Sequence, residues 1–411
     1  MGYELDADAQ GRLGSYFSDI GVALKNKTRR ASFAMYAMGL LGSAERKSAE
    51  PIAATACADP ATCEPFHHRL LRFLRDSPWS DHEVRRIAAS HAIAAMTHEE
   101  AIRTWILDDT GFLKQGKHSV GVQRQYTGSA GKITNCQIAV SLSVATRSAH
   151  VPIDFALYLP ESWTADPLRR RECKIPDSVV FETKHELALD MIMSAVDDGI
   201  PGNILLADSG YGDSHEFRET VRGLSFDYAL GIHATTTMWR LDARDRRRRE
   251  PMSARAIAEE LGPKAFRRVT WRDGTAPGPR GRLRSRFAFS RVKVAHDDGS
   301  DLASREPLWL IVEWPQGEAA PTKFALTTLR RTMSKKQLVR LLKERYRTER
   351  VYEEMKGELG LDHFEGRSFP AWHHHVSVAM CCYAFVIAER MRHFPPTAGR
   401  RSRAGTLARA A

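Results

Sequence analysis

The sequence predicts an α/β protein: a mixed sheet flanked by helices, preceded by an all-helical stretch and interrupted by a mostly β insertion. Three observations carry that reading. Thr104 to Thr110, TWILDDT, sets three apolar residues, Trp105, Ile106 and Leu107, directly before two carboxylates, Asp108 and Asp109, the pattern of a buried strand that delivers charge at its end. The same grammar recurs at Ile204 to Asp208, ILLAD, before a Gly-punctuated turn. Around these two segments, β-branched runs alternate with helical periodicity, as expected when strands and helices share one sheet.

A chain of 411 residues is too long for one small core and calls for several domains, or one domain with a large insertion. With 43% hydrophobic and 27% charged residues it reads as globular, and 61 Lys plus Arg against 50 Asp plus Glu, a net +11, favours a polyanionic partner. No apolar run approaches the roughly 18 residues of a membrane span, and the start, MGYELDADAQ, lacks the basic-then-apolar pattern of a signal peptide. The expectation is a cytoplasmic protein with no membrane partner. The six cysteines are accordingly expected to be reduced, and the spacing of Cys57 and Cys63 before His67 and His68 is not a usual zinc pattern.

Taken in order, residues 1–97 form a helical N-terminal domain, with apolar spacing over Leu13 to Leu24, Thr28 to Leu41, Pro65 to Leu74 and Asp81 to Ala95. Its clusters of Lys and Arg offer a face for DNA phosphates. Residues 98–232 form the first part of a catalytic core. After TWILDDT comes an irregular Gly-rich basic stretch, then two antiparallel strands at Ile133 to Ala145 and Ala149 to Tyr158. Thr183 and Glu186 make a capping box for a helix over Lys184 to Asp198, which leads to the Asp208 strand, a helix from Ser214 and a strand at Phe226 to Ile232. Residues 233–330 read as a basic β-rich insertion. Between Arg267 and Lys293, nine basic residues, Arg280, Arg282, Arg284 and Arg286 among them, face a single acid, Asp273, which marks a phosphate-facing surface. Residues 331–392 return to the core with a helix from Ser334 to Gly360 and a second apolar helix from Ala371 to Met391; His373, His374 and His375 at its start cannot share one face and are read as its first turn, not a metal triad. A basic tail, 393–411, is expected to be disordered.

On the Ser334 helix, Arg345, Glu349, Tyr352 and Lys356 fall at i, i+4, i+7 and i+11, hence on one face, and the stripe of Leu338, Leu341 and Leu342 carries that face toward the interior. Three carboxylates from separate elements of a basic protein suit a pair of Mg²⁺ or Mn²⁺ ions, which together clamp the attacking and leaving oxygens of a phosphodiester. Singly, each acid has an ordinary explanation: Asp208 as a turn former, Glu349 as an ion-pair partner of Arg345. The repeated strand-end syntax favours a shared role.

The blocks WILDDTGFLKQGKHSVGVQRQYTGSAGKITNCQIAVSLS, FALYLPESW, VFETKHELAL, LLADSGYGD and ELGLDHFEGRSFPAWHHH resemble the insertion sequence 701 family of bacterial DDE transposases, related to the insertion sequence 4 group. The similarity runs from about Met35 to Ala384. It implies an RNase H-like core, two divalent ions, and an enzyme that cuts and rejoins double-stranded DNA at its own element's terminal inverted repeats. It also implies a place in the bacterial cytoplasm with the nucleoid, and keeps open a homodimer on DNA. By position the second acid is Asp208 and the third Glu349. The first is Asp109 or Asp108, with Asp109-Thr110 closer to the Asp-Thr of related enzymes. The related group's Tyr-x2-Arg-x3-Glu-x6-Lys signature is met at Arg345, Glu349 and Lys356, but Leu342 stands at the tyrosine position. Arg345, Lys356 and Tyr352 are thus expected at DNA. The rival expectations are a nuclease of the same fold without strand transfer, and a domesticated DNA-binding protein.

Overall fold

The computed structural model describes residues 7–394 apart from 58, 60–61, 99, 243, 245, 247–249, 273–282 and 296–305. Ahead of the first strand, the described residues form the helices α1 (Ala7–Leu24), α2 (Lys27–Leu41), α3 (Ala49–Ala56), α4 (Cys63–Arg75) and α5 (Asp81–Thr97). Short polar side chains set two of the starts. Asn26 accepts from the Thr28 amide at 2.7 Å ahead of α2, and Ser80 accepts from the Glu83 amide at 3.1 Å ahead of α5. Helix α3 escaped the periodicity reading because it buries only Ile52 and Ala53, too few positions to show a repeat.

The elements that follow are β1 (Thr104–Leu113), β2 (Gln123–Thr127), β3 (Lys132–Ala145), β4 (His150–Tyr158), α6 (Glu161–Thr164), α7 (Pro167–Glu172), α8 (Lys184–Asp197), β5 (Ile204–Ala207), α9 (Ser209–Gly212), α10 (His215–Gly223) and β6 (Asp227–Ile232). Then come β7 (Thr237–Arg240), β8 (Met252–Ser253), α11 (Ala254–Leu261), β9 (Arg267–Arg272), β10 (Leu283–Val294), β11 (Leu308–Trp314), β12 (Lys323–Thr327), α12 (Lys335–Glu344), α13 (Arg347–Leu359) and α14 (Phe369–His393). The strands β3 and β4 match their expected bounds closely. Strand β2 lies in the Gly-rich stretch read as irregular. The expected capping box of α8 is present, with the Thr183 amide 2.7 Å from Glu186 Oε2 and the Glu186 amide 3.3 Å from Thr183 Oγ1. Of the tail expected over 393–411, His393 is the last residue of α14 and Phe394 its C-cap, and the rest falls outside the described residues.

The chain forms two compact units, and they do not follow the expected sequence blocks. One comprises Met1–Ile102, Asp109–Ser194 and Thr348–Ala411; the other comprises Arg103–Asp108 and Ala195–Arg347. In the first unit, β2 and β4 pair antiparallel with successive stretches of β3, Gln123 to Thr127 opposite Lys132 to Cys136 and His150 to Tyr158 opposite Ile138 to Ala145. Helix α14 is apolar on every side, the mark of a central helix, and packs on α5, α2, α4 and β4. Fully buried side chains such as Trp372 and Phe385 each contribute roughly 1.5–3 kcal/mol by leaving water. The N-terminal helices therefore share a core with α14 instead of standing as a separate domain. Buried Arg85 knits α5 to β4 through Asp81 on its own helix and Asp154 at 2.9 Å.

In the second unit, β1 pairs parallel with β5 and β5 parallel with β6, and the order continues antiparallel through β12, β11, β10, β7 and β8, with β9 also on β10. The basic β-rich stretch thus extends the sheet of β5 and β6, because β12 returns to pair with β6.

Candidate active site

In the second unit, β1 and β5 run side by side and parallel, and the register Ile106↔Leu206 brings Asp108 and Asp208 level, two residues further along. Asp208 follows the last residue of β5, but β1 does not end on its carboxylates as its sequence suggested: it runs on to Leu113, because Thr110, Gly111 and Phe112 after the two acids are again buried. Asp108 is buried and its Oδ2 lies 3.1 Å from Arg345 Nη1. Asp208 is the N-cap of α9 and accepts from the Gly210 amide at 2.9 Å. The rest of ADSGYGD is explained by close approach. A Cβ on Gly212 would sit 1.9 Å from Gly231 O on β6, and a Cβ on Gly231 would sit 2.9 Å from the Ser209 amide. Two facing glycines therefore let the Asp208 turn lie against the neighbouring strand. Asp213 closes the motif by accepting from the His233 amide at 3.0 Å and the Thr236 hydroxyl at 2.6 Å, and buried Arg218 donates to Gly212 O.

The Ser334 segment corrects the sequence reading. It is not one helix: α12 ends at Glu344 and α13 begins at Arg347, with Arg345 as the C-cap of α12. Arg345 itself keeps helical angles, φ −53° and ψ −39°. Its guanidinium, expected at DNA phosphates, holds Asp108 instead.

In the first unit, Asp109 is half-buried and pairs with Lys184 Nζ at 2.5 Å. Lys184 was missed as a site residue; its only signal was its place at the start of the capped helix. Glu349, expected on a buried face, is exposed in the first turn of α13. Tyr352, expected at DNA, is buried, and its hydroxyl lies 2.6 Å from Ser141 Oγ on β3, so it anchors the helix to the sheet. Lys356 Nζ donates to Gly111 O at 2.7 Å and Ser129 Oγ at 3.4 Å and stands 5.2 Å from the Phe112 ring centroid; burial pulls its pKa below the usual lysine value. It too is engaged within the protein. Of the arginines expected to face phosphates, Arg280 and Arg282 lie outside the described residues. Arg284 is exposed, and Arg286 stacks 4.0 Å over Trp314.

The histidine run lies one turn further into the helix than read, since α14 already begins at Phe369. His374 and His375 are buried in the second turn of α14, and His375 Nε2 donates to Leu361 O at 3.1 Å while its Nδ1 accepts from the Tyr36 hydroxyl at 2.9 Å. Burial lowers the His375 pKa to about 4.

Asp108, Asp109, Asp208 and Glu349 are carboxylates, the donor chemistry of a hard divalent cation. Among the described residues, no group of three or more His, Cys, Asp or Glu side chains is gathered closely enough to hold a metal ion. Among them, too, no helix is long and apolar enough to cross a membrane.

Comparison with known proteins gives these acids their context. The DDE superfamily endonuclease family matches residues 20–278, and the transposase DDE domain family matches residues 176–385. The chain is also similar to a protein from Microchaete diplosiphon named "Probable transposase for insertion sequence element IS701", with 28% identity over 198 residues, covering 48% of this chain and 47% of that relative. The match spans about half the length of the curated relative. Each family covers more than half of this chain, the two overlap across the strand before Asp208, and the fold is a mixed α/β one: the chain belongs to the DDE superfamily of endonucleases and transposases.

Proposed function

We propose that this protein is a DNA transposase that cuts DNA strands at the ends of an insertion sequence and joins them to target DNA, with Asp109, Asp208 and Glu349 as the acids that hold divalent metal and Asp108 as the alternative first acid. The observation that carries the reading is the pair of family matches, which together run from residue 20 to residue 385 and enclose all four acids. The level placement of Asp108 within β1 and Asp208 just past β5, on neighbouring parallel strands, agrees with it. A pair of Mg²⁺ or Mn²⁺ ions, when bound, supplies positive charge for the attacking and leaving oxygens of an in-line displacement. The chain's own cations have separate work: Arg345 orients Asp108 and Lys184 orients Asp109, so each carboxylate is held before the substrate arrives. The partner is double-stranded DNA, which the net charge of +11 favours.

The test is incubation of the protein with DNA carrying the element's two ends, with and without Mg²⁺, resolved on a denaturing gel. Metal-dependent cuts at the ends together with joined products support a transposase. Cuts without joined products would make it a nuclease, and binding without cuts would make it a DNA-binding protein alone.

A further inference from the structure

The β2–β3 hairpin carries a surface that the acids do not explain. Tyr126 on β2 pairs directly with Ile133 on β3, and both are largely open to water, at 64% and 61% exposure. Directly opposed residues of an antiparallel pair share a face, and so do residues two apart on one strand. Arg124, which pairs with Asn135, therefore stands beside Tyr126 on that face, and it is exposed. The opposite face is used for packing: Thr127 is buried, with its Oγ1 2.0 Å from where a Cβ of Gly111 would lie, and Cys136 is buried. Strand β2 ends the sheet order, and among the described residues no strand pairs beyond it.

Charge says what such an aromatic surface meets. From Thr110 to Ile153 there is no Asp or Glu, whereas Lys114, Lys117, Arg124, Lys132 and Arg147 all fall in that span. Lys117 and Lys132 are exposed, as is Arg124. An exposed aromatic ring beside an arginine, on a segment without acids, fits a strand of nucleic acid whose base stacks on the ring while its phosphate meets the guanidinium. The hairpin is also tied to α13. Lys356, seven residues after Glu349, bonds Gly111 O and the Ser129 hydroxyl in the hairpin turn.

We propose that the exposed face of the β2–β3 hairpin is a platform for an unpaired DNA base, with Tyr126 stacking on the base and Arg124 holding the adjoining phosphate. This rests on the reading of the protein as a DNA-processing enzyme and adds to it the handling of an unpaired strand.

The experiment compares a mixed-sequence forked DNA, carrying a fluorescent base analogue in its unpaired arm, with the same duplex made blunt. The full-length protein should quench the analogue and bind the fork about tenfold more tightly than the blunt duplex. Tyr126→Ala should lose both effects while binding the blunt duplex as before, Tyr126→Phe should keep both, and Arg124→Ala should weaken fork binding and flatten its salt dependence. Tyr126 is exposed, so these variants are expected to melt with the parent. Equal quenching and equal fork binding by Tyr126→Ala would overturn the platform and leave the DNA reading standing. No binding of either DNA by the parent would overturn the DNA reading itself. A parent dimer that Tyr126→Ala dissociates would make this face a contact between copies of the chain, and would also overturn the proposal.

Discussion

Arg345 Nη1 lies 3.1 Å from Asp108 Oδ2, so the guanidinium four residues before Glu349 in sequence is bound to a buried acid within β1. Asp108 is 7% exposed, and a carboxylate that buried depends on a cation beside it. Arg345→Ala is expected to lower stability by roughly 1–3 kcal/mol, and Arg345→Lys by less, since lysine keeps the charge without the planar fork. Chemical denaturation measures both. An unchanged midpoint for the alanine variant, with weakened DNA binding, would return Arg345 to a phosphate role.

Asp208→Asn should separate folding from chemistry. The asparagine oxygen can still accept from the Gly210 amide, so the cost to stability should stay below about 1 kcal/mol. Metal-dependent cleavage should fall by orders of magnitude, because the lost charge is what a divalent ion needs, while DNA binding changes by a few fold at most. A binding gel beside a cleavage gel checks this; wild-type cleavage would remove Asp208 from the site.

Glu349 and Lys356 share α13 but should respond in opposite ways. Glu349 is exposed, so Glu349→Gln should cost at most about 1 kcal/mol of stability and nearly all of the cleavage activity. Lys356→Ala removes the bonds to Gly111 and Ser129 and should lower the melting temperature. If Glu349→Gln cleaves at near the parent rate, the third acid lies elsewhere, with Glu353 and Glu354 the next to try.

The glycine pair under the Asp208 turn gives a test of packing. Gly212→Ala forces a Cβ into Gly231 O and should cost roughly 1–3 kcal/mol or more. Gly223→Ala, at the end of α10 where a Cβ meets nothing within 4 Å, should be neutral or stabilising by up to about 1 kcal/mol. Thermal melts that rank the two the other way would contradict the close approach of α9 to β6.

His375 sets a pH dependence. Its folded pKa of about 4 lies below the ordinary histidine value, so the unfolded chain takes up a proton that the folded chain refuses. The stabilisation is complete above about pH 6.5 and declines as pH falls toward 4, by an amount on the order of 3 kcal/mol. Urea titrations across that range should show a steep loss in the parent and a shallower one in His375→Gln. Parallel slopes would mean that other groups carry the acid sensitivity.

What could be read in the chain was local. The apolar strand that leads into Asp108, the strand that stops before Asp208, the Thr183–Glu186 box, the β3 and β4 strands and the Ser334 cap are all written within a few neighbouring residues, where apolar period and capping chemistry act; that β1 runs on past its two acids to Leu113 is not. What the tertiary structure decided depends on partners far apart in sequence. Arg345 and Glu349 share a helical spacing, yet one is held by Asp108 and the other faces water, because the helix divides at Arg345 and Tyr346. Lys184 meets Asp109 across 75 residues, Lys356 meets Gly111 across 245, and β12 joins β6 after the whole basic segment has passed. Periodicity tells which face of a helix is apolar; it carries no information about which distant carboxylate or carbonyl that face will find, since that is set by how the elements pack.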